Sequence, residues 1–378
     1  MNYDFTEAEH TLFADIAKQV NALGAPAALE QRDPSEKGWQ IRRVIETLAQ
    51  TPYLRLGLQP VEGFNGQLTL MGAMEVLAGI SPSAYLAVEA AARLFGRAVG
   101  NWGSSGQKEK FLEPILSGQG LGALALSEGA MNIENEPLAT TGEKQGDSVL
   151  VTGTKQYVIN ASIADWIAVA GVCEGASALF IVESQAPGLS VDAPLQTPGY
   201  QGTPISAITM DRCKIPIEQV IFPADKDNTP AVLRMWENQI LLGASLGISK
   251  TAFETARDYA KSHRSGGKPV IAYQEVGFKL AEMLTMLQTA QLLAYRTAWT
   301  LENAPHEAYE LMLSAKIFCT ESAEQICSEA MKILGGSGYI SGNPAEMAYR
   351  CAKFGQIAGT STEIARVKIG DAALGYRK

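Results

Sequence analysis

Three textures follow one another along the chain. From residue 1 to about 118, apolar positions recur at helical spacing in Ala-, Leu- and Glu-rich runs such as MGAMEVLAGI and AYLAVEAAARLFGRAVG. QKEKFLEPILSG predicts a short helix that ends at Gly118. From about 119 to 226 the apolar runs shorten. LGALALSE, SVLVTGTKQYVI, WIAVAGVC, ALFIVES and ISAITM are β-rich and separated by Gly, Pro, Asp and Asn, a spacing suited to an antiparallel sheet or small barrel. From about 227 to 378 the helical period returns over longer stretches. Val276, Leu280, Met283, Leu287 and Ala294 form one stripe, and Leu311, Ala315, Phe318, Ile326 and Ile333 a second. Such stripes suit a helical bundle, with an internal core and an oligomer interface equally able to account for them. The expected fold class is α+β: an N-terminal helical domain (1–118), a central β-domain (119–226) and a C-terminal helical bundle (227–378).

Composition narrows the function classes. The chain has 378 residues, 46% hydrophobic and 19% charged, enough for a large core and too apolar for disorder. A net charge of −9 without a Lys/Arg run argues against nucleic acid as a partner. The acidic start MNYDFTEAEH is unlike a signal peptide, and no segment approaches the roughly 18 uninterrupted apolar residues of a membrane span. The five cysteines form no CxxC pair, which suits a reduced, cytoplasmic setting. His10, His263 and His306 stand too far apart in sequence to suggest a metal site or a Ser-His-Asp triad.

Three stretches carry chemistry. In LALSEGAMNIENEPLATTGEKQGDSVLVTGTKQYVINASIADWIAVAG, Ser127, Glu128, Gly153, Lys155, Asn160 and the Ala164-Asp165-Trp166 run stand at fixed spacing. In MWENQILLGASLGISKTAFETARDYAKSHRSGGKPVIAYQEVGFKLAEM, an Arg-containing Gly-rich loop precedes a helix that opens on Gln274. In KILGGSGYISGNPAEMAYRCAKFGQIAGTSTEIARVKIG, Gly335, Gly336, Gly338, Tyr339, Arg350, Ala352, Lys353, Gln356, Ile357, Glu363, Ile364 and Arg366 form the most specific pattern. Together they resemble the acyl-CoA dehydrogenase family over nearly the whole chain, which implies an N-terminal helical domain, a central β-barrel domain and a C-terminal four-helix bundle.

That resemblance implies a flavoprotein that oxidises the α,β-bond of an acyl thioester. A carboxylate takes the α-proton while the β-hydrogen leaves as hydride to FAD. It implies FAD contacts at Ser127, Tyr157, Ile159, Arg264, Gln274, Lys332, Gly335, Gly336, Ser361 and Glu363, with Arg264 reaching the cofactor of a neighbouring subunit. Several positions depart from the family pattern. The small-residue phosphate loop is replaced by Ala130-Met131-Asn132-Ile133-Glu134, the flavin-stacking Trp by Tyr157, the N5-contacting Thr by Ile159, and the loop Phe by Gly266; His263 takes the slot of the family Arg.

The family's usual base, a Glu opening the last motif, falls on Ala358 or Gly359, neither of which accepts a proton. A subset of the family, including isovaleryl- and long-chain-specific enzymes and prolyl-carrier-protein oxidases, carries its base on a bundle helix, and there the match is Glu237. Glu237 shares a helical face with Ile240, Leu241 and Ala244, so desolvation is expected to raise its pKa and strengthen it as a proton acceptor. Asn238 stands where the family usually has an Arg near CoA, which leaves CoA and carrier-protein thioesters both open. The expected partners are the thioester, an electron-accepting flavoprotein or oxygen, and further copies of the chain in a dimer or tetramer. Two other readings remain. One is a flavin-dependent monooxygenase, distinguished by oxygen consumption with supplied reduced flavin. The other is a degenerate, non-catalytic homologue, distinguished by a colourless protein that takes up no FAD.

Overall fold

The computed structural model describes residues 3–24, 34–129, 137–224 and 228–376. The altered loop 130–134 therefore lies outside the described residues. Helices α1 (Glu7–Asn21), α2 (Pro34–Leu48), α3 (Gly66–Ile80), α4 (Pro82–Glu89) and α5 (Arg97–Trp102) form the N-terminal part, with a π-helical turn, Ala90–Gly96, joining the last two. Thr6 and Glu9 close a reciprocal capping box on α1. Helical residues 105–116 end before Gly118, whose φ of +76° and close approach to Ala49 and Glu46 exclude a side chain there.

The middle of the chain is one eight-stranded sheet: β1 (Gly122–Ala125), β2 (Thr141–Gln145), β3 (Ser148–Ile159), β4 (Trp166–Cys173), β5 (Ala176–Glu183), β6 (Leu189–Val191), β7 (Ile205–Pro216) and β8 (Val220–Ile221). The path runs β6-β7-β3-β2-β4-β5-β8, with β1 added beside β4. Most pairings are antiparallel, but β1 and β2 both meet β4 in parallel, a mixed character that the strand pattern does not reveal. Alternation along β4 and β5 divides two cores. Ile167, Val169, Ala178, Phe180 and Val182 face the sheet's own cluster, while Ala168, Ala170, Leu179 and Ile181 face the helices. Both faces are therefore apolar, and these strands read as near-continuous hydrophobic runs.

The C-terminal part holds α6 (Thr229–Ser262), α7 (Gln274–Asn303), α8 (Ala308–Leu334), α9 (Pro344–Ile357) and α10 (Thr362–Ala373). Helix α6 is the centrepiece, packing against α8, α3, α9 and α7. A Cβ on Gly247 would stand 2.5 Å from the Glu75 carbonyl and the Gly79 amide, so glycine is what lets α3 cross α6 so closely. On α7 the predicted stripe is buried at Leu280, Met283, Leu287 and Ala294. On α8 the buried stripe is Met312, Ala315, Cys319, Ala323, Ile326, Ala330 and Ile333; Leu311 and Phe318 sit at its margin and are only half-buried.

Candidate active site

The site starts from the second turn of α6. Arg234 Nη1 donates to Glu237 Oε2 at 2.5 Å, an i,i+3 pair with side chains 13% and 21% exposed. The other arm, Arg234 Nη2, donates to Ser127 Oγ at 3.1 Å, just past β1. One guanidinium thus joins a residue expected at the flavin to the residue expected as base. Ile240, Leu241 and Ala244 on the same face are buried, as the pattern implied. The correction is that the carboxylate does not stand alone on that stripe: a cation three residues upstream accompanies it.

Asn238, the next residue, is spent on the turn before α10. It is fully buried, accepts from the Thr360 amide at 2.9 Å and donates to Thr360 Oγ1 at 3.1 Å. It thereby clamps the turn that carries the vacant base position. Gly359 has φ +64°, and a Cβ there would meet Asn238 Oδ1 at 2.5 Å. The turn continues into α10, where Ser361 is the N-cap and Glu363 an exposed first-turn carboxylate, held below its ordinary pKa by its own backbone amide first. Behind the turn Lys316, on α8, is buried and donates to the Gln356 carbonyl at 3.3 Å. Burial pushes its ammonium down to about 8, against the pull of Glu363 and Glu237.

On the sheet side, Glu128 accepts from Lys155 Nζ at 2.7 Å, Thr140 Oγ1 at 2.6 Å and the Ala139 and Thr140 amides. Burial opposes ionisation, but these donors hold the carboxyl below its usual range, while burial takes Lys155 down to about 8. The pair therefore fastens Glu128 and, through it, Ala139 and Thr140 to β3. Gln156 donates its amide to the Ser127 carbonyl, and the β3–β7 register slips between Lys155 and Val158. Tyr157 occupies that bulge with φ 57° and is 66% exposed. Two residues on, Ile159 is half-buried against the main core. Asn160 is buried and donates to the Ala87 carbonyl at 2.8 Å.

The remaining expected FAD contacts stand elsewhere. From Glu237 to Ser262 is 25 residues, about 38 Å of α6 at 1.5 Å per residue. Beyond it the Gly266-Gly267 turn closes a hairpin in which Arg264 donates to the Gly267 carbonyl. Gln274 is exposed at the start of α7. Lys279 on α7 and Lys332 on α8 both reach Glu329, and Gly335 and Gly336 follow exposed at the end of α8. The single chain thus gathers Ser127, Tyr157, Ser361 and Glu237 around one end of α6 and Arg264, Gln274, Lys332, Gly335 and Gly336 towards the other. Sequence reasoning missed Arg234 and Lys316. The i,i+3 spacing of Arg234 to Glu237 was a usable signal; Lys316 sits inside an apolar run with nothing to mark it.

Residues 123–213 match the model of the acyl-CoA dehydrogenase middle domain, and 235–374 that of the acyl-CoA dehydrogenase C-terminal domain. The chain is 30% identical over 266 residues to benzylmalonyl-CoA dehydrogenase of Aromatoleum aromaticum, covering 69% of this chain and 70% of that one. It is 28% identical to 3-(aryl)acrylate reductase of Clostridium sporogenes, covering 97% and 98%. Among solved structures, a glutaryl-coenzyme A dehydrogenase in complex with glutaryl-CoA superposes with a TM-score of 0.91 at 22% identity, over 100% of this chain and 98% of the other. No described helix is long and apolar enough to cross a membrane, and no group of three metal-ligating side chains stands among the described residues.

Proposed function

The chain belongs to the acyl-CoA dehydrogenase family, and we propose from this premise that it is an FAD-dependent oxidoreductase that introduces an α,β double bond into an acyl thioester, with Glu237 as the base. What carries the reading is the pairing of a vacant position at Ala358 or Gly359 with a half-buried carboxylate on the adjacent helix, held between Arg234 and the apolar stripe of α6. The residues around it suit FAD: an exposed aromatic ring is held out on a bulge at Tyr157, and Ser127 beside it offers a hydroxyl. When bound there, FAD supplies the hydride acceptor.

The protein's own part is positioning and proton transfer. The carboxylate of Glu237 takes the proton from the carbon next to the thioester carbonyl as the β-hydrogen leaves with its electron pair. Arg234 aims that carboxylate, and the buried face of Ile240, Leu241 and Ala244 keeps water from competing for the proton. The protonated Glu237 returns its proton to solvent after the enoyl thioester leaves. Electrons go on to a partner flavoprotein or to oxygen. Arg264, Gln274, Lys332, Gly335 and Gly336 serve the cofactor of a second copy of the chain.

Glu237→Gln tests the reading. Removing the base should slow reduction of the flavin by substrate about 100-fold or more, with FAD still bound, as stopped-flow absorbance records. Reduction at the parent rate would remove Glu237 from the mechanism.

A further inference from the structure

One buried charge beside the candidate site has no part in the chemistry above. Lys316 on α8 is fully enclosed, and among the described residues its ammonium has one hydrogen bond, to the Gln356 carbonyl at 3.3 Å. Gln356 stands in the last turn of α9. Had that helix continued, the Gln356 carbonyl would accept the Thr360 amide four residues on. The Thr360 amide instead donates to Asn238 Oδ1 at 2.9 Å. Lys316 and Asn238 thus take one partner each of the hydrogen bond that would prolong α9. The chain leaves the helix between them, through Ala358 and the left-handed Gly359.

Packing sets Lys316 close to the level of the proposed base. Helix α7 reverses the chain twice, so α6 and α8 run in the same direction through the bundle. A Cβ on Gly355 of α9 would meet Thr320 of α8 at 3.0 Å and Ser245 of α6 at 3.6 Å, which puts those two residues side by side. One turn back along both helices come Lys316 and Leu241, and a Cβ on Gly359 would touch Leu241 at 3.1 Å. A long side chain on a helix leans towards the N-terminus. The Lys316 ammonium is therefore carried on from Leu241 towards Glu237, a further turn back.

Charges reach that ammonium from several elements. Helix α10 contributes Glu363, α6 contributes Glu237 and Arg234, and α8 itself contributes Glu321. Helix α9 faces it with the Gln356 carbonyl. Helix α7 meets α8 at Ala290, whose carbonyl accepts from Cys319, and its buried side chains there, Leu287, Ala290 and Ala294, are uncharged. Burial is the largest influence and brings Lys316 down to about 8. The cation is present at neutral pH and is lost as the pH climbs past that value.

We propose that Lys316 is a positioning residue for Glu237: its buried cation, bonded to the end of α9, holds the 357–360 turn against Asn238 and so fixes the helix segment that presents the base. The catalytic consequence rests on the reading of Glu237 above. A neutral side chain of similar length would leave the Gln356 carbonyl without its donor and the turn held from one side only.

Two measurements on the FAD-loaded protein test it. Hydrogen exchange of residues 357–361, read by mass spectrometry, reports the turn. Stopped-flow reduction of the flavin by butyryl-CoA and by 3-phenylpropanoyl-CoA, across neutral and alkaline pH, reports the base. Lys316→Met should speed exchange in the turn and slow reduction, each about tenfold or more. In the parent protein reduction should fall as the pH passes about 8. Lys316→Arg keeps its charge there, so it should restore part of the rate at neutral pH and lose the alkaline fall. Exchange in Lys316→Met equal to the parent's overturns the proposal. An alkaline fall that persists unchanged in either variant belongs to another group and overturns it as well. Where Lys316→Met does not fold, the parent and Lys316→Arg decide by that fall. If neither thioester reduces the flavin, the dehydrogenase reading fails, and exchange in the turn still decides whether Lys316 holds it.

Discussion

Charge inside this protein is placed one residue at a time, and each buried pair has its own consequence. Glu128 and Lys155 illustrate the tight case, with side chains 7% and 0% exposed and four donors on one carboxylate. The pair ties the strand that carries Tyr157 to the segment that carries Ser127, so its loss is felt at both. Lys155→Met leaves Glu128 buried without its cation. Breaking one side of such a pair should cost about 3 kcal/mol, measured by urea unfolding. A change under about 1 kcal/mol would mean that the bonds from Thr140 and Ala139 hold Glu128 unaided. Arg234 and Glu237 are the looser case, partly reached by solvent, which suits a carboxylate that has to exchange a proton.

At the scale of elements, the last turn before α10 shows how one departure forces another. On the proposed reading Ala358 or Gly359 stands where the family's usual base would be; Gly359 lies in the left-handed region, and Asn238 fills the space a side chain there would need. A carboxylate put back there is both strained and obstructed. Gly359→Glu should lower stability by about 1 kcal/mol or more, and Gly359→Glu with Glu237→Gln should not regain flavin reduction. Stopped-flow reduction near the parent rate in the double variant would show that Asn238 yields and that the turn, not the helix, is the natural seat of the base. The proposed base at Glu237 rests on the resemblance, since a Glu on a helix is ordinarily a solvated one. Strands β4 and β5 were legible because both faces are apolar. Strand β2, TGEKQ, was not, because only Gly142 is buried, against Phe180, and its polar residues face out. The α8 stripe slipped because Leu311 and Phe318 are as apolar as the residues that are buried beside them. Arg97 was invisible for the opposite reason: a charge within AARLFGRAVG reads as the solvent face of a helix until packing shows it enclosed.

The whole molecule divides the residues expected at FAD between two ends of a long helix, and that division is itself an argument. On the proposed reading a cofactor seated beside Ser127 and Tyr157 does not also touch Arg264 of the same chain, because α6 runs about 38 Å from Glu237, at the first group, to Ser262, just before Arg264. On the proposed reading each cofactor is completed by a second copy, in a closed two-fold arrangement where each chain lends its far end to its partner. The far end has the surface for it: Phe278 on α7 and Tyr339 and Ile340 beyond Gly335 are large, apolar and exposed. Complementation decides the point. Glu237→Gln removes the base from one end, and Arg264→Ala removes the cation from the other. Each protein alone should be inactive or nearly so in flavin reduction by substrate at limiting FAD. Mixed by co-refolding, they form assemblies in which one site in the hybrid has an intact Glu237 from one chain and an intact Arg264 from the other. Random pairing should return roughly a quarter of the parent activity. A mixture no more active than its two components would place the whole cofactor within one chain and leave Arg264 as a surface residue of the hairpin.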